Sequence, residues 1–393
     1  KVEADMKFPN LALAVVLSIP FALPASLFAQ GATSEQIVDI AGASFAPVIE
    51  QYGIPGLVVG ITWQGQHSFY ATGVAARKGN VAATPDTIFE LGSISKIFTA
   101  TLAALAEDRG MLDLDAPVSD SIPQLEGAAF GAIRLVDLST HVTGGLPLQV
   151  PGEVGNTPEL IRWLESWQPP QPGTRSYSNV SIGLLGHITA QTMGMSFAQA
   201  AEDVLFPAMG LGSTYVDVPD HAMDRYAFGY DRKTDAPIRV NPGVLADEAY
   251  GVKSTARDML RLLDLELGRG GADTALTAAL ERTRQGQAET AYYTQDMIWE
   301  QYPWPADVAK MEAGNGYDFI LSPQPATRLT PPLPPQRDVI LNKTGATNGF
   351  GGYVALLPGQ DLGIVVLANR NYPNEARVRA THALITDLLA TQN

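Results

Sequence analysis

Residues 89–100, FELGSISKIFTA, predict the point at which the chain passes from strands into helices. A helix-periodic apolar segment runs from Ile94 to Arg109, and Ser93 stands before it, where serine favours an N-terminal cap. In a helix that starts at Ser93, Lys96 lies on the same face, beneath the serine hydroxyl. A neutral lysine amine can accept a serine proton, and a helix N-terminus favours a developing oxyanion. The pattern therefore indicates a nucleophilic serine, with a capping serine beside an unrelated lysine as the alternative.

Two other short patterns carry groups that suit the same chemistry. Tyr177-Ser178-Asn179 offers a phenol that can act as a base near cations, and an amide that can orient a substrate amide. Lys343-Thr344-Gly345 follows an apolar run at 339–341, which predicts an edge strand lining a cleft. Its lysine can attract a carboxylate, and its glycine admits a close backbone approach. A packed tyrosine and an ordinary strand end are the alternatives, and Tyr372-Pro373-Asn374 repeats the Y-x-N spacing.

Serine with lysine, then Y-x-N, then K-T-G is the order found in penicillin-recognising serine enzymes. Over nearly its whole length after the first thirty residues, the chain resembles a class C β-lactamase. Besides FELGSISKIFTA, the segments that carry the resemblance are GGLPLQVP (144–151), PGTRSYSNVSIGLLG (172–186), DEAYGVKST (247–255) and NKTGATNGFGGYVALLPGQDLGIVVLANRNYPNEARV (342–378). Y-S-N in place of S-D-N separates the chain from class A.

The resemblance implies an α/β (α+β) fold of the serine β-lactamase and penicillin-binding-protein type, an antiparallel sheet flanked by helices with an inserted all-helical domain. It implies hydrolysis of β-lactams, such as cephalosporins and penicillins, through an acyl-enzyme on Ser93. Lys96 and Tyr177 would share the proton transfers with support from Lys343, and the N–H groups of Ser93 and Ala346 would form the oxyanion hole.

The resemblance also implies which residues contact the substrate: Gln149, Asn179, Tyr250, Thr344, Gly345, Asn371 and Asn374. Gln149 and Asn179 would hold the side-chain amide, and Tyr250 would line the side-chain pocket. Lys343 and Thr344 would receive the carboxylate together with the two asparagines at 371 and 374.

The chain departs from the family pattern in three places. The segment Asp296–Glu300 is shorter than the usual loop, Asn348 stands where glycine is common, and Ala346 replaces a frequent serine. A shortened loop near the cleft leads to the hypothesis that bulkier lactams are admitted. Glu300 is expected to be an exposed carboxylate, and Arg377 either adds charge beside the carboxylate pocket or faces solvent.

The periodicity predicts the order of the elements. We expect a helix at Glu35–Tyr52, a hairpin of Gly56–Trp63 and 68–74, a final hairpin of 350–357 and 362–368, and a helix capped by Asn374 that runs to Leu389. Helical segments between the hairpins are expected at 94–109, 135–141, 157–167, 181–194 and 196–205. The proline-rich stretch 322–335 is expected to be an irregular surface loop. These elements predict an α/β domain from 30–92 and 210–393, and an all-helical domain at 93–209.

Composition excludes several classes of function. The net charge of −15 disfavours nucleic acid as a partner, because no basic stripe offsets it. Cysteine is absent, and the five histidines show no H-E-x-x-H or clustered spacing. We therefore expect no metal and no cofactor, and a small-molecule β-lactam as the binding partner of a monomer.

The first thirty residues predict export. Met6-Lys7 is followed by an apolar run, Leu11 to Ile19, and by small residues up to Ala29. This is the pattern of a secretory signal peptide at 1–29, with residues 1–5 as a cloning scar or the result of an upstream start. The run is too short and too broken by proline to span a bilayer, so no stable membrane anchor is expected after cleavage. The expected location is the periplasm.

Other functions share the same motifs. A DD-peptidase would acylate on Ser93 but cleave peptidoglycan stems, and a carboxylesterase would hydrolyse simple esters. A non-turnover penicillin-binding sensor would stay acylated, and a non-catalytic interaction protein would leave the motifs unexplained. The rate of deacylation divides a β-lactamase from the sensor and the peptidase.

Overall fold

A computed structural model describes Val2 and residues 32–392. Apart from Val2, the predicted signal peptide lies outside the described residues. Strands are found at β1 (Gly56–Trp63), β2 (Gln66–Ala76), β3 (Val81–Ala82), β4 (Phe89–Glu90), β5 (Thr174–Arg175), β6 (Gly229–Tyr230), β7 (Pro237–Ile238), β8 (Lys253–Ser254), β9 (Gly286–Glu289), β10 (Thr294–Gln295), β11 (Glu300–Pro303), β12 (Gln324–Pro325), β13 (Thr327–Leu333), β14 (Val339–Ala346), β15 (Gly351–Leu357) and β16 (Leu362–Ala368).

The α-helices are α1 (Ser34–Tyr52), α2 (Ser95–Asp108), α3 (Val118–Ser121), α4 (Leu135–Thr140), α5 (Thr157–Glu165), α6 (Asn179–Thr192), α7 (Phe197–Gln199), α8 (Phe206–Met209), α9 (Ala246–Tyr250), α10 (Ala256–Glu266), α11 (Thr274–Thr283), α12 (Val308–Asn315), α13 (Tyr317–Ile320) and α14 (Asn374–Ala390). Short 3₁₀ turns and one π-helical stretch, Ala200–Leu205, connect them. No helix of the described residues has the length and apolar character that crossing a membrane requires.

Ten strands form one antiparallel sheet in the order β13-β9-β10-β11-β14-β15-β16-β1-β2-β3. Every residue of β1 is buried, because both faces of the sheet are covered. Alternate residues of a strand point to opposite faces. Leu57 and Val59 accordingly pack in the core that also holds residues of α1 and α14, whereas Val58 packs in the core shared with α10 and the central helices. The predicted antiparallel sheet flanked by helices is confirmed.

Helix α2 lies at the centre of the core that also contains Val58. Its residues from Ser95 to Ala106 are all buried, because α6, α9 and α11 pack around it. The predicted hairpins and the first, second and last helices are confirmed within one or two residues at most boundaries. The division into 30–92 with 210–393 and 93–209 stays a prediction.

Three expectations about local structure are wrong. The stretch 322–335 contains β12 and β13, and β13 pairs with β9 as the outermost strand of the sheet. Prolines are tolerated there because an edge strand leaves half of its N–H groups unpaired. Asn374 is the first residue of α14 and not its cap, since its side-chain amide donates to the carbonyl of Asn315 at 3.0 Å.

The third wrong expectation concerns the strand that carries K-T-G. This strand, β14, lies inside the sheet and not at its edge. It pairs with β15 on one side, and with β11 on the other only as far as Glu300 opposite Asn342. Residues 343–346 continue past the end of β11 and pair with β15 alone. One edge of this last stretch is therefore open, as the pattern predicted for the backbone around Gly345.

Candidate active site

A cleft of about 720 Å³ opens where β14 meets the central helices. It is lined by Ser93, Leu148, Gln149, Tyr177, Asn179, Ile238, Arg239, Val240, Asn241, Tyr250, Tyr317, Ile320, Leu321, Thr344, Gly345, Ala346, Thr347, Asn348, Gly349, Asn371 and Asn374. All the predicted site residues are among them except Lys96 and Lys343, which are buried directly behind the lining. Tyr372, of the second Y-x-N match, does not line the cleft and is buried against Tyr52.

Ser93 and Lys96 are brought together by the start of α2. Ser93 lies in a 3₁₀ turn, Gly92–Ile94, which leads directly into the helix at Ser95. The Lys96 amine lies 2.9 Å from Ser93 Oγ, and it donates to the carbonyl of Ala249 at 2.7 Å. Burial of the amine lowers the pKa of Lys96 to about 8, and the charge of Lys343 acts in the same direction while Tyr177 opposes it. A neutral amine beside the hydroxyl is therefore accessible near neutral pH.

Tyr177 lies between the two lysines. Lys96 Nζ is 5.2 Å and Lys343 Nζ is 5.1 Å from the centre of the phenol ring. Burial raises the pKa of Tyr177, but the charges of Lys343 and Lys96 and a hydrogen bond with Ser93 outweigh it and bring this pKa to about 8. The phenol can thus serve as a proton acceptor close to physiological pH.

A buried carboxylate holds the charge of Lys343. Glu300 Oε1 lies 3.5 Å from Lys343 Nζ and 3.9 Å from Arg175 Nη2, and all three side chains are at most 1% exposed. Burial alone would lower the pKa of Lys343, yet Glu300 and Tyr177 more than offset this and raise it. The expectation of an exposed Glu300 is wrong, because its neighbour strand β14 and the two cations enclose it. Arg175, inside the Y-S-N segment, was not singled out from the sequence.

The backbone of the nucleophile turn touches the backbone of β14. Gly92 has φ of +53°, and a Cβ placed on it would lie 2.5 Å from the Ala346 backbone. A Cβ on Gly345 would lie 2.1 Å from the carbonyl oxygen of Leu91. Only glycine allows both approaches. The contact brings the chain at Ser93 next to the chain at Ala346, the arrangement that two converging N–H donors require.

The polar rim of the cleft is tied to the helices. The backbone N–H of Asn179 donates to the Leu148 carbonyl at 2.8 Å, which fixes the loop that carries Gln149 against the start of α6. The side-chain oxygens Asn179 Oδ1 and Asn374 Oδ1 are buried without a hydrogen-bond partner. Both belong to residues that line the cleft, so each offers an acceptor to a ligand.

Arg377 does not face solvent, and its guanidinium lies beside two residues of the predicted carboxylate pocket. Its side chain is fully buried, and Nη1 donates to the carbonyl of Gly345 at 2.7 Å. Nη2 donates to Asn371 Oδ1 at 2.7 Å and to the carbonyl of Tyr372. The guanidinium therefore joins the K-T-G strand to the segment before α14.

Glu90 was also missed, although it belongs to the stretch that fixes the fold. Its buried carboxylate accepts from the Tyr226 hydroxyl at 2.8 Å, the Val240 N–H at 2.7 Å and the Thr347 hydroxyl at 2.6 Å. Two cleft-lining segments, at Val240 and Thr347, are thereby joined to the strand that leads to Ser93. By contrast, no residue of 296–300 lines the cleft, so the shortened loop gives no support to the admission of bulkier lactams.

Comparisons with known proteins identify the family of the chain. The family model described as Beta-lactamase matches residues 36–387. A solved beta-lactamase of Sulfitobacter sp. EE-36 is 97% identical, with a TM-score of 0.92 over 92% of this chain and 100% of that one. A class C beta lactamase of Rhodobacter sphaeroides is 64% identical, with a TM-score of 0.88 over 89% and 99%. A beta-lactamase/D-alanine carboxypeptidase of Pseudomonas syringae is 45% identical, with a TM-score of 0.87 over 89% and 98%. The chain belongs to the beta-lactamase family and is a serine β-lactamase of class C.

Proposed function

We propose that this chain hydrolyses β-lactams, both cephalosporins and penicillins, through a covalent acyl-enzyme on Ser93. One observation carries the proposal: a cleft-lining serine lies 2.9 Å from a buried amine whose pKa is about 8, beside a tyrosine of similar pKa. A serine hydroxyl becomes a useful nucleophile only when a nearby base accepts its proton.

In the acylation step, Ser93 Oγ forms a bond to the lactam carbonyl carbon, and the ring C–N bond breaks. The hydroxyl proton passes through Lys96 and Tyr177 to the ring nitrogen, so charge and atoms balance. The N–H groups of Ser93 and Ala346 donate to the carbonyl oxygen as it becomes negative. The close packing of the chain at Gly92 and Ala346 supports this assignment.

In the deacylation step, one water molecule attacks the ester carbon. Tyr177 accepts a proton from the water, the carbon–Oγ bond breaks, and the proton returns to Ser93. Lys343 acts as a supporting cation that favours the phenolate, and its charge is in turn held by Glu300.

The same proposal assigns the binding residues. Gln149 and Asn179 hold the amide of the substrate side chain, and Tyr250 lines the side-chain pocket. The carboxylate of the lactam nucleus is received by Lys343 and Thr344, with Asn371 and Asn374 beside them, and Gly345 permits a close backbone approach. The free Oδ1 atom of Asn179 can accept from the N–H of the substrate side-chain amide, which supports its role.

A D-alanine carboxypeptidase activity is the second candidate, because one similar structure is described with both activities. Such an enzyme acylates on the same serine with a D-alanyl peptide. The carboxylesterase and non-turnover sensor alternatives have no comparable observation in their favour. Turnover of a lactam divides the first candidate from the others.

We also propose that residues 1–29 are a signal peptide and that the enzyme acts in the periplasm as a monomer, without a stable membrane anchor and without nucleic acid. The proposed active site would then lie between the α/β domain of 30–92 and 210–393 and the helical domain of 93–209. Light scattering of the purified enzyme tests the monomer, and N-terminal sequencing of exported protein tests cleavage near Ala29.

The deciding experiment measures hydrolysis of a chromogenic cephalosporin by the protein that begins after Ala29, beside the Ser93→Ala variant. Many turnovers per enzyme, lost in the variant, are the expected result. A single stoichiometric burst with a stable mass adduct on Ser93 would favour a sensor or a peptidase. No reaction with any lactam would refute the proposal and direct the search to peptides and esters.

A further inference from the structure

Arg239 is the only charged side chain among the described residues that line the cleft. Within residues 32–392 no carboxylate lines the cleft, because Glu90 is buried behind the rim, and Lys96 and Lys343 are likewise enclosed. The whole chain carries a net charge of −15, so an anionic ligand needs local cations to attract it, and Arg239 is a cation that reaches the cleft lining itself. Arg239 has no part in the mechanism proposed above.

The guanidinium of Arg239 is held in a fixed position. It lies 3.9 Å from the centre of the Tyr226 ring and 4.2 Å from the centre of the Phe228 ring. Nε donates to the carbonyl of Ala227 at 3.2 Å, and Nη2 donates to the carbonyl of Tyr226. An arginine that is stacked and hydrogen-bonded loses little further conformational freedom when it binds a ligand.

Part of this guanidinium remains available. Among residues 32–392, Nη1 of Arg239 has no hydrogen-bond acceptor and no carboxylate forms an ion pair with the group. The charge of Glu90 acts on Arg239 without forming an ion pair with it, and the two oxygens of Glu90 already accept from Tyr226, Val240 and Thr347. The side chain is half-buried, so its charge is screened less than on an open surface.

The position of Arg239 within the cleft determines which part of the substrate it contacts. The segment 238–241 begins at the last residue of strand β7 and lies against the turn after β14, where a Cβ on Gly349 would lie 2.8 Å from Ile238. Tyr250 also lines the cleft and contacts the same stretch of chain, since its hydroxyl lies 3.3 Å from a Cβ placed on Gly243, four positions after Arg239. Asn374 is proposed to lie beside the carboxylate of the lactam nucleus, and its side-chain amide instead donates to the carbonyl of Asn315, close to α13. Arg239 therefore belongs to the end of the cleft that takes the acyl side chain.

We propose that Arg239 is a specificity-determining residue that recognises a second carboxylate, one carried by the acyl side chain of the β-lactam. This rests on the proposed function and on the side-chain end assigned to Tyr250. A guanidinium donates a charge-assisted hydrogen bond to a carboxylate but gains nothing from a neutral side chain and repels a cationic one. The enzyme accordingly favours dianionic lactams over matched monoanionic ones.

The test uses three penicillins with the same benzyl side chain, which differ only at its α-carbon: unsubstituted, α-carboxy and α-amino. They are benzylpenicillin, carbenicillin and ampicillin. We expect Arg239→Gln to lower kcat/KM for the carboxy compound about tenfold relative to the unsubstituted one, and the amino compound to gain. Arg239→Lys keeps the charge and should keep most of the preference. Arg257→Gln, which removes the same charge from an exposed ion pair with Asp86 outside the cleft, should leave all three ratios unchanged.

Two outcomes would overturn the inference. An equal loss for all three compounds in Arg239→Gln would mean that the arginine supports the rim or binds the carboxylate they share. An unchanged ratio would mean that it meets no substrate carboxylate at all. Dissociation constants of the same compounds, measured in a Ser93→Ala background by calorimetry, give the same ratio without turnover. They test Arg239 even if hydrolysis, and with it the proposed function, fails.

Discussion

Replacing Glu300 with glutamine is expected to destabilise the protein strongly, because this carboxylate neutralises two buried cations. Its Oε1 lies 3.5 Å from Lys343 Nζ and 3.9 Å from Arg175 Nη2, and neither carboxylate oxygen has a hydrogen-bond partner. Glutamine keeps the shape and removes the charge. At an effective dielectric constant of about 20, the two attractions are about 5 and about 4 kcal/mol. Desolvation of the three ions offsets much of this, and breaking a buried pair costs about 3–5 kcal/mol in practice.

Thermal unfolding measures this cost. At about 2 °C per kcal/mol for a large domain, the melting temperature of Glu300→Gln should fall by about 6–10 °C. The matched control is Glu312→Gln, which breaks the ion pair of Glu312 with Arg379, a side chain that is 68% exposed. A solvent-exposed pair of this kind contributes about 0–1 kcal/mol, so the control should fall by about 2 °C at most.

A double-mutant cycle makes the reasoning refutable. Lys343→Met in the Glu300→Gln background should cost much less than Lys343→Met alone, since the lysine has then already lost its counter-charge. A melting temperature of Glu300→Gln within about 2 °C of its control corresponds to a difference of only about 1 kcal/mol. The buried ion pairs would then not stabilise the fold as argued. Additive losses in the cycle would lead to the same conclusion for the pair with Lys343.

Three other changes have defined outcomes. Gly92→Ala should lower kcat about 100-fold or more, because a Cβ at this position displaces the oxyanion donors. The control Gly110→Ala, at φ of +67° with open space around it, should cost only about 1 kcal/mol of stability, and equal activity of the two variants would contradict the packing argument. Lys343→Met should raise the pKa of Tyr177 from about 8, because it removes a cation that lowers this pKa, and the acid limb of the kcat/KM profile should move to higher pH by about one unit. Lys343→Arg, which keeps the charge, is the control, and an unmoved acid limb in Lys343→Met would exclude Tyr177 as the titrating base. Burial raises the pKa of Glu266 from 4.5 to about 7, so its contribution is full below pH 4.5 and lost as pH rises through 7. Urea unfolding at pH 5 and pH 8 should therefore show Glu266→Gln gaining up to about 3 kcal/mol on the wild type as pH rises, and a constant difference would contradict this.

The sequence predicted those parts of the site that depend on local spacing. Ser93 and Lys96 lie three positions apart at the start of one helix, and the hairpin of β15 and β16 follows from two apolar runs that flank the turn residues 358–361. The three catalytic motifs could be placed together only through the family resemblance, because nothing in their spacing brings residues 93, 177 and 343 to one cleft.

The parts that were missed depend on long-range contacts. Glu300 looks like any strand-end carboxylate until β14 places Lys343 beside it, 43 positions later in the chain. The prolines of β13 argue against a strand unless the strand is known to be at an edge. Arg239 carries no local motif, and the role proposed for it was inferred only because no other charged side chain lines the described part of the cleft.

The order of strands in the sheet has a consequence for biosynthesis. β1 pairs with β16, so Leu57 cannot form its pair with Ala368 until roughly 300 more residues of the chain have been made. At about 5–20 residues per second, a ribosome needs roughly 15–60 s to supply that partner. During this interval the hairpin of β1 and β2 exposes an apolar strand edge, the kind of surface on which nascent chains aggregate. A chaperone or a translocation channel that shields residues 56–63 should therefore raise the yield of folded enzyme more than one that acts on the last strands.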